Sequence, residues 1–120
     1  MTVSIYFESP NLAVFHGSGV LKREEVDHAK HVLHDHMVQH GPMRVLILID
    51  PDFHNLEAFV QWDDIDLDRD IQKNVLRMAI VGNLRWRDSA LLFFISAVSK
   101  FPIEYFSADH EDLGRAWLDA

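Results

Sequence analysis

Two carboxylates, an imidazole and an amide crowd into the segment Asp50-Pro51-Asp52-Phe53-His54-Asn55. Groups of these types within reach of one another can pass a proton. Asp50 and His54 would form an acid–base pair, and Asn83, in the Gly82-Asn83 turn further along, would orient a substrate. The same residues have a simpler use. Asp50-Pro51-Asp52 makes a tight turn, and Asp52 or Asn55 caps the helix that follows. No nucleophile elbow, glycine-rich phosphate loop or zincin pattern accompanies the segment. It is therefore read as a binding loop, with no catalytic residue assigned.

Histidine is the second chemistry to weigh, with eight in the chain. His28, His31, His34, His36 and His40 fall on one predicted helix, and His36 and His40 stand four apart, the spacing that lets two imidazoles share an ion. That pair borders the apolar stripe through Leu33 and Met37, whereas His28, His31 and Asp35 lie on the other side. One ion cannot gather them all. No metal and no cofactor are expected, and His36 and His40 are the ligands to test first. The acidic run Asp63, Asp64, Asp66, Asp68 and Asp70 lacks the central glycine and closing glutamate of a calcium loop. It reads as a solvated helix flank, or else as a docking surface for a basic partner.

The elements that must position these groups follow from hydrophobic pattern. Residues 44–49 and 77–81 (RVLILI and RMAIV) are apolar on both faces and end in turn residues, which predicts two central strands buried between helices. Residues 3–7 and 12–16, split by Ser9-Pro10-Asn11, read as an opening antiparallel hairpin. Helices are predicted over 22–40, 57–71, 86–100 and 109–118, the last with Asp109 as N-cap, and a fifth strand over 103–106. The order ββαβαβαβα implies an α/β fold: a mixed five-stranded sheet, antiparallel at its hairpin and otherwise mainly parallel, with helices on its faces. In such sheets ligands sit at the carboxyl ends of the strands.

The 120 residues suit a single domain, and 48% hydrophobic with 25% charged is ordinary for a globular chain. A net charge of −8 repels phosphate backbones, so no nucleic-acid partner is expected. The chain has no cysteine, its opening residues lack a signal-peptide pattern, and its apolar runs are too short to cross a bilayer. A cytoplasmic protein with no membrane span is the expectation.

Several features together resemble the SpoIIAA-like group of small bacterial proteins, relatives of the STAS domains. Gly19-Val20-Leu21-Lys22 leads into an acidic helix start, and Arg44-Val45-Leu46-Ile47-Leu48-Ile49-Asp50 is followed by Phe53. Trp62, then Arg77-Met78-Ala79-Ile80-Val81-Gly82 with Trp86, Tyr105-Phe106 and Ala116-Trp117-Leu118 complete the pattern over about the whole chain. The resemblance implies regulation or binding without catalysis. In the antagonist branch of that group a phosphorylatable Ser or Thr lies just past the third strand. Here residues 50–58 contain neither, so the switch is not expected.

One surplus remains. Ala90-Leu91-Leu92-Phe93-Phe94-Ile95 is apolar nearly all round, more than one buried stripe requires. A homodimer seam is the first reading and an internal apolar cavity the second. The expected function is therefore a non-enzymatic binding or regulatory module with a protein partner, another molecule or itself. Its binding candidates are Asp50, Asp52, Phe53, His54, Asn55, Phe59, Trp62, Asn83, Trp86 and Phe93. The alternative is a carrier or sensor of a small apolar ligand or lipid.

Overall fold

The computed structural model describes residues 3–19, 23–53, 65–88 and 101–120. β1 (Val3–Ser9) and β2 (Leu12–Gly17) form the hairpin, with Tyr6 opposite Val14 and Ser4 opposite His16. α1 (Arg23–His40) leads to β3 (Met43–Ile49), α2 (Ile65–Lys73) to β4 (Val75–Gly82), and β5 (Ile103–Ser107) to α3 (Glu111–Asp119). The sheet order is β1-β2-β3-β4-β5, antiparallel between β1 and β2 and parallel elsewhere. This is the expected α/β architecture.

β3 and β4 lie in the interior of the sheet and are apolar on both sides, as is the start of β2. Val45 packs with Ala13, Ile80 and the α1 residues Leu33 and Met37, while its neighbour Leu46 packs with Val14, Ala79, Val81 and Leu118 on the opposite face. Strands laid down in sequence order, joined by crossovers of one hand, put those crossovers on one face. α1 and α2 do share a face, and α3 covers the other. The predicted stripe of α1 holds throughout: Val26, Ala29, Leu33 and Met37 are all buried. The helix ends at Gly41, whose φ of 85° suits glycine, and the Gly41 N–H donates to the Met37 carbonyl at 2.7 Å.

The charged residues that open the two central strands have a structural use. Arg44 donates to the Leu118 carbonyl at 3.3 Å and pairs with Asp119, and Arg77 donates to the Trp117 carbonyl at 2.8 Å. Both guanidinium groups thus cap the carboxyl end of α3, where free carbonyls and the helix dipole favour a cation.

Most element ends shift from expectation by one or two residues, and two of the differences bear on the site. α3 starts at Glu111 with His110, not Asp109, at the N-cap, because Ser107 and His110 close the preceding turn first: the His110 N–H donates to the Ser107 carbonyl at 2.9 Å. Trp86 ends a 3₁₀ turn, Leu84–Trp86, with Asn83 as its cap, and α-helical backbone follows at Arg87 and Asp88, one residue past the expected start.

Candidate functional site

Because β2 to β5 run parallel, their carboxyl ends share one rim, and the chain leaves the sheet there four times. The β2 and β3 exits are tied by backbone and side chain. The Asp50 N–H donates to the Gly17 carbonyl at 2.9 Å, and the Gly19 N–H donates to the Asp52 carboxylate at 3.3 Å. The Phe53 N–H donates back to the Asp50 carbonyl at 3.1 Å, which closes the tight turn expected of this segment.

Asp50 does find an imidazole, but it belongs to His16. Nε2 of His16 bonds the Asp50 carboxylate, and both side chains are part-exposed. Parallel pairing explains the meeting: Gly17 lies beside Ile49, so the residues flanking that pair converge. A base held by a carboxylate is half of an acid–base unit. Among the described residues no nucleophile bonds to the imidazole, so the pair ties two exits together and orients a polar edge toward solvent.

The β3 and β4 exits are joined by aromatic packing. Phe53 is only 1% exposed and lies among Val3, Val26 and Ala29, with Trp86 edge-on at 5.0 Å between ring centroids. Phe53 therefore does not face a partner. It is the core residue that clasps one exit to the other, and such an edge-to-face pair adds about 0.5–1.5 kcal/mol to the burial itself.

Asn83 is likewise engaged in holding its own loop. Its side-chain oxygen accepts from the Arg85 N–H at 2.9 Å, and its carbonyl accepts from the Tyr105 hydroxyl at 2.6 Å. Burial pushes the Tyr105 phenol up to about 12, because the phenolate would lose its hydration. Gly82 sits beneath this bond. A Cβ there would lie 2.8 Å from Ile49 Cβ and 3.0 Å from the Tyr105 hydroxyl, so the strand exit approaches its neighbours closer than any side chain allows.

What the rim displays is the remainder of the 3₁₀ turn together with Arg87, the residue after it. Leu84 is 60% exposed, Arg85 and Arg87 are exposed, and the Arg85 guanidinium lies 5.0 Å from the centroid of the Trp86 ring. His16, Leu84, Arg85 and Tyr105 were not among the candidates named from sequence. The register of β2 on β3 would have found His16, and nothing in local pattern marks Tyr105. His54, Asn55, Phe59, Trp62 and Phe93 lie outside the described residues.

His36 and His40 lie far along α1 from this rim. Their rings are 4.3 Å apart, but Phe7 stacks on His36 at 3.7 Å and the His36 Nε2–H donates to the Pro10 carbonyl at 3.0 Å. That is an aromatic stack sealing the hairpin turn. Among the described residues no group of three or more His, Cys, Asp or Glu side chains is arranged to hold a metal. Asp70, the last of the acidic run, faces His34 of α1 at 3.6 Å.

A family model described as SpoIIAA-like matches residues 12–119. The chain belongs to the SpoIIAA-like family. Its five-stranded sheet, antiparallel at β1 and parallel beyond, is consistent with the STAS-type fold of that family. No curated protein matches the chain. Membership suggests a regulatory or binding module, and SpoIIAA-like domains act through protein interactions. No helix among the described residues is long and apolar enough to cross a membrane.

Proposed function

We propose that this chain is a non-enzymatic regulatory module that binds a protein partner through the carboxyl rim of its sheet, without a phosphorylatable Ser or Thr switch. The observation that carries the reading is the clasp of Phe53 on Trp86, which makes the β3 and β4 exits one preorganised surface. Family membership supports binding over catalysis, and residues 50–58 offer no hydroxyl for a kinase. The polar groups best placed for chemistry, Asp50, Asn83 and Tyr105, are spent on holding loops together.

Affinity capture from the native cells tests this. A partner should be retained by the wild-type chain and by Val38→Asp, which alters an exposed position on α1, and lost with Asp52→Arg or Leu84→Asp. A partner indifferent to both rim substitutions would remove the reading. A co-purifying apolar molecule seen by native mass spectrometry, with no protein partner, would favour a carrier instead. Self-association is expected through residues 92–93, and light scattering should find a dimer that Phe93→Asp dissociates. A strict monomer at high concentration would contradict it.

A further inference from the structure

We infer that the rim segment Leu84–Arg87 recognises an acidic, apolar stretch of polypeptide on the partner. The inference rests on the rim-binding reading above and names the chemistry of what is bound.

The first support is an imbalance in how this chain uses arginine. Asp and Glu number 19 against 11 Lys and Arg, so a carboxylate for every guanidinium is easily found. Arg44 has Asp119 and Arg115 has Glu8 and Glu111, while Arg77 is held by the Trp117 carbonyl and ring. Arg69, Arg85 and Arg87 form no ion pair among the described residues, but Arg69 stands singly on α2, whereas Arg85 and Arg87 stand together on the fixed rim. Arg85 lies over the Trp86 ring at 5.0 Å, a contact that uses none of its N–H donors, and among the described residues no acceptor takes them. The planar fork of such a guanidinium matches a carboxylate two bonds at a time.

The second support is the setting. Leu84, 60% exposed, adjoins the two arginines and offers an apolar anchor point. The segment is held from three sides: by the Asn83 cap, by the Tyr105 hydroxyl on the Asn83 carbonyl, and by Trp86 against Phe53. Little order is lost when a partner lands on a surface already fixed.

The neighbouring charges choose the class of partner. Asp52 and Asp88 are exposed, and neither meets a cation among the described residues. A broad anionic surface, such as a lipid bilayer, would lie across these carboxylates as well as the arginines. A polypeptide carries discrete charges. It can set carboxylates on Arg85 and Arg87, an apolar side chain on Leu84, and a neutral or basic residue opposite Asp52.

The test is selection from a random peptide display library on the full chain, followed by fluorescence anisotropy with the synthetic peptides recovered. Selected sequences should carry Asp or Glu beside Leu, Ile, Phe or Met. Arg85→Glu with Arg87→Glu should weaken them by about tenfold or more, and peptides with the acids replaced by Lys should bind the reversed chain better than the wild type. Arg85→Gln with Arg87→Gln should give a smaller loss in the same direction, and circular dichroism should confirm that each variant is folded.

Selected peptides without acidic residues, or acidic peptides indifferent to both arginine pairs, would overturn the inference. If those peptides were still lost with Asp52→Arg or Leu84→Asp, the rim would remain the binding surface and only its proposed partner chemistry would fall. If no rim substitution mattered, both would fall. Arginine-dependent binding to vesicles of phosphatidylserine and phosphatidylcholine, without binding to acidic peptides, would also overturn the inference and point to a membrane.

Discussion

The two ends of the sheet use the same residue type in opposite ways. At the amino ends of β3 and β4, Arg44 and Arg77 turn inward onto the last carbonyls of α3, and Phe7, His36 and His40 stack over the hairpin turn. Polar groups at that end meet partners within the chain, so it reads as a seal. At the carboxyl end Arg85 and Arg87 stand beside an exposed leucine with no carboxylate among the described residues. Arg44 and Arg77 serve architecture, and on the proposed reading Arg85 and Arg87, with no ion pair among the described residues, serve contact. The comparison also assigns the aromatic residues: Phe53 and Trp86 belong to the support of the rim rather than to its display.

The largest effect should come from removing that support. Phe53→Ala empties a fully buried site between α1 and Trp86 and should cost about 3–5 kcal/mol in urea unfolding. Loss of that size with binding intact would mean that the clasp is not what organises the rim. Gly82→Ala comes next, at about 1–3 kcal/mol, because the new Cβ would press on Ile49 Cβ, which is fixed to the backbone and cannot swing away. A neutral result there would show that the strand exits have slack, and would weaken the contrast between a fixed rim and a sealed end.

Tyr105→Phe is milder, about 1 kcal/mol from the lost bond to the Asn83 carbonyl. It carries a pH signature. The folded phenol is raised to about 12 from an ordinary value of 10.0, so the fold favours the neutral form. Its contribution is complete below pH 10 and is lost as pH rises from 10 to 12. The wild type should therefore lose stability over that window and Tyr105→Phe should lose less. Equal alkaline decline in both chains would detach Tyr105 from the Asn83 loop.

How far these features could be read beforehand depended on their range in sequence. The buried central strands, the α1 stripe and the stop at Gly41 are local patterns, and each lies where the pattern put it. The rim itself follows from strand direction, which alternating strands and helices imply. What failed was the assignment of individual side chains. The imidazole that Asp50 bonds is His16, across the β2–β3 register, a partner that no local pattern offers; His54 lies outside the described residues. Phe53 looked like a contact residue because it lies in a polar loop, yet burial there is decided by α1 and Trp86. His110 displaced Asp109 as the cap because Ser107 ends its strand one turn earlier. At Asp50 and Phe53 a tertiary neighbour outweighed a local preference, and at His110 a local turn closed before the helix began.

The smallest effects sharpen the comparison most directly, because they set a charge that seals against a charge that displays. On α3, Arg115 donates to both oxygens of Glu8, at 2.6 and 3.0 Å, and to Glu111 at 2.8 Å. The bond from Arg115 holds the Glu8 carboxyl below its ordinary value. A depressed carboxyl stabilises the fold at pH values above its unfolded range, and the benefit fades as pH falls through the lowered folded value. Both side chains are part-exposed, so solvent screening keeps the contribution to about 1 kcal/mol or less. Glu8→Gln should therefore lower stability slightly at pH 7, less in high salt, and the deficit should shrink as pH falls through the lowered carboxyl range. Arg87→Glu should change stability by less than about 0.5 kcal/mol at neutral or acid pH, since it removes no ion pair among the described residues. A persistent Glu8→Gln deficit in acid would mean that packing, not charge, links α3 to β1. A clear loss of stability from Arg87→Glu would mean that the rim arginines hold the fold together, and the distinction between the two ends would disappear.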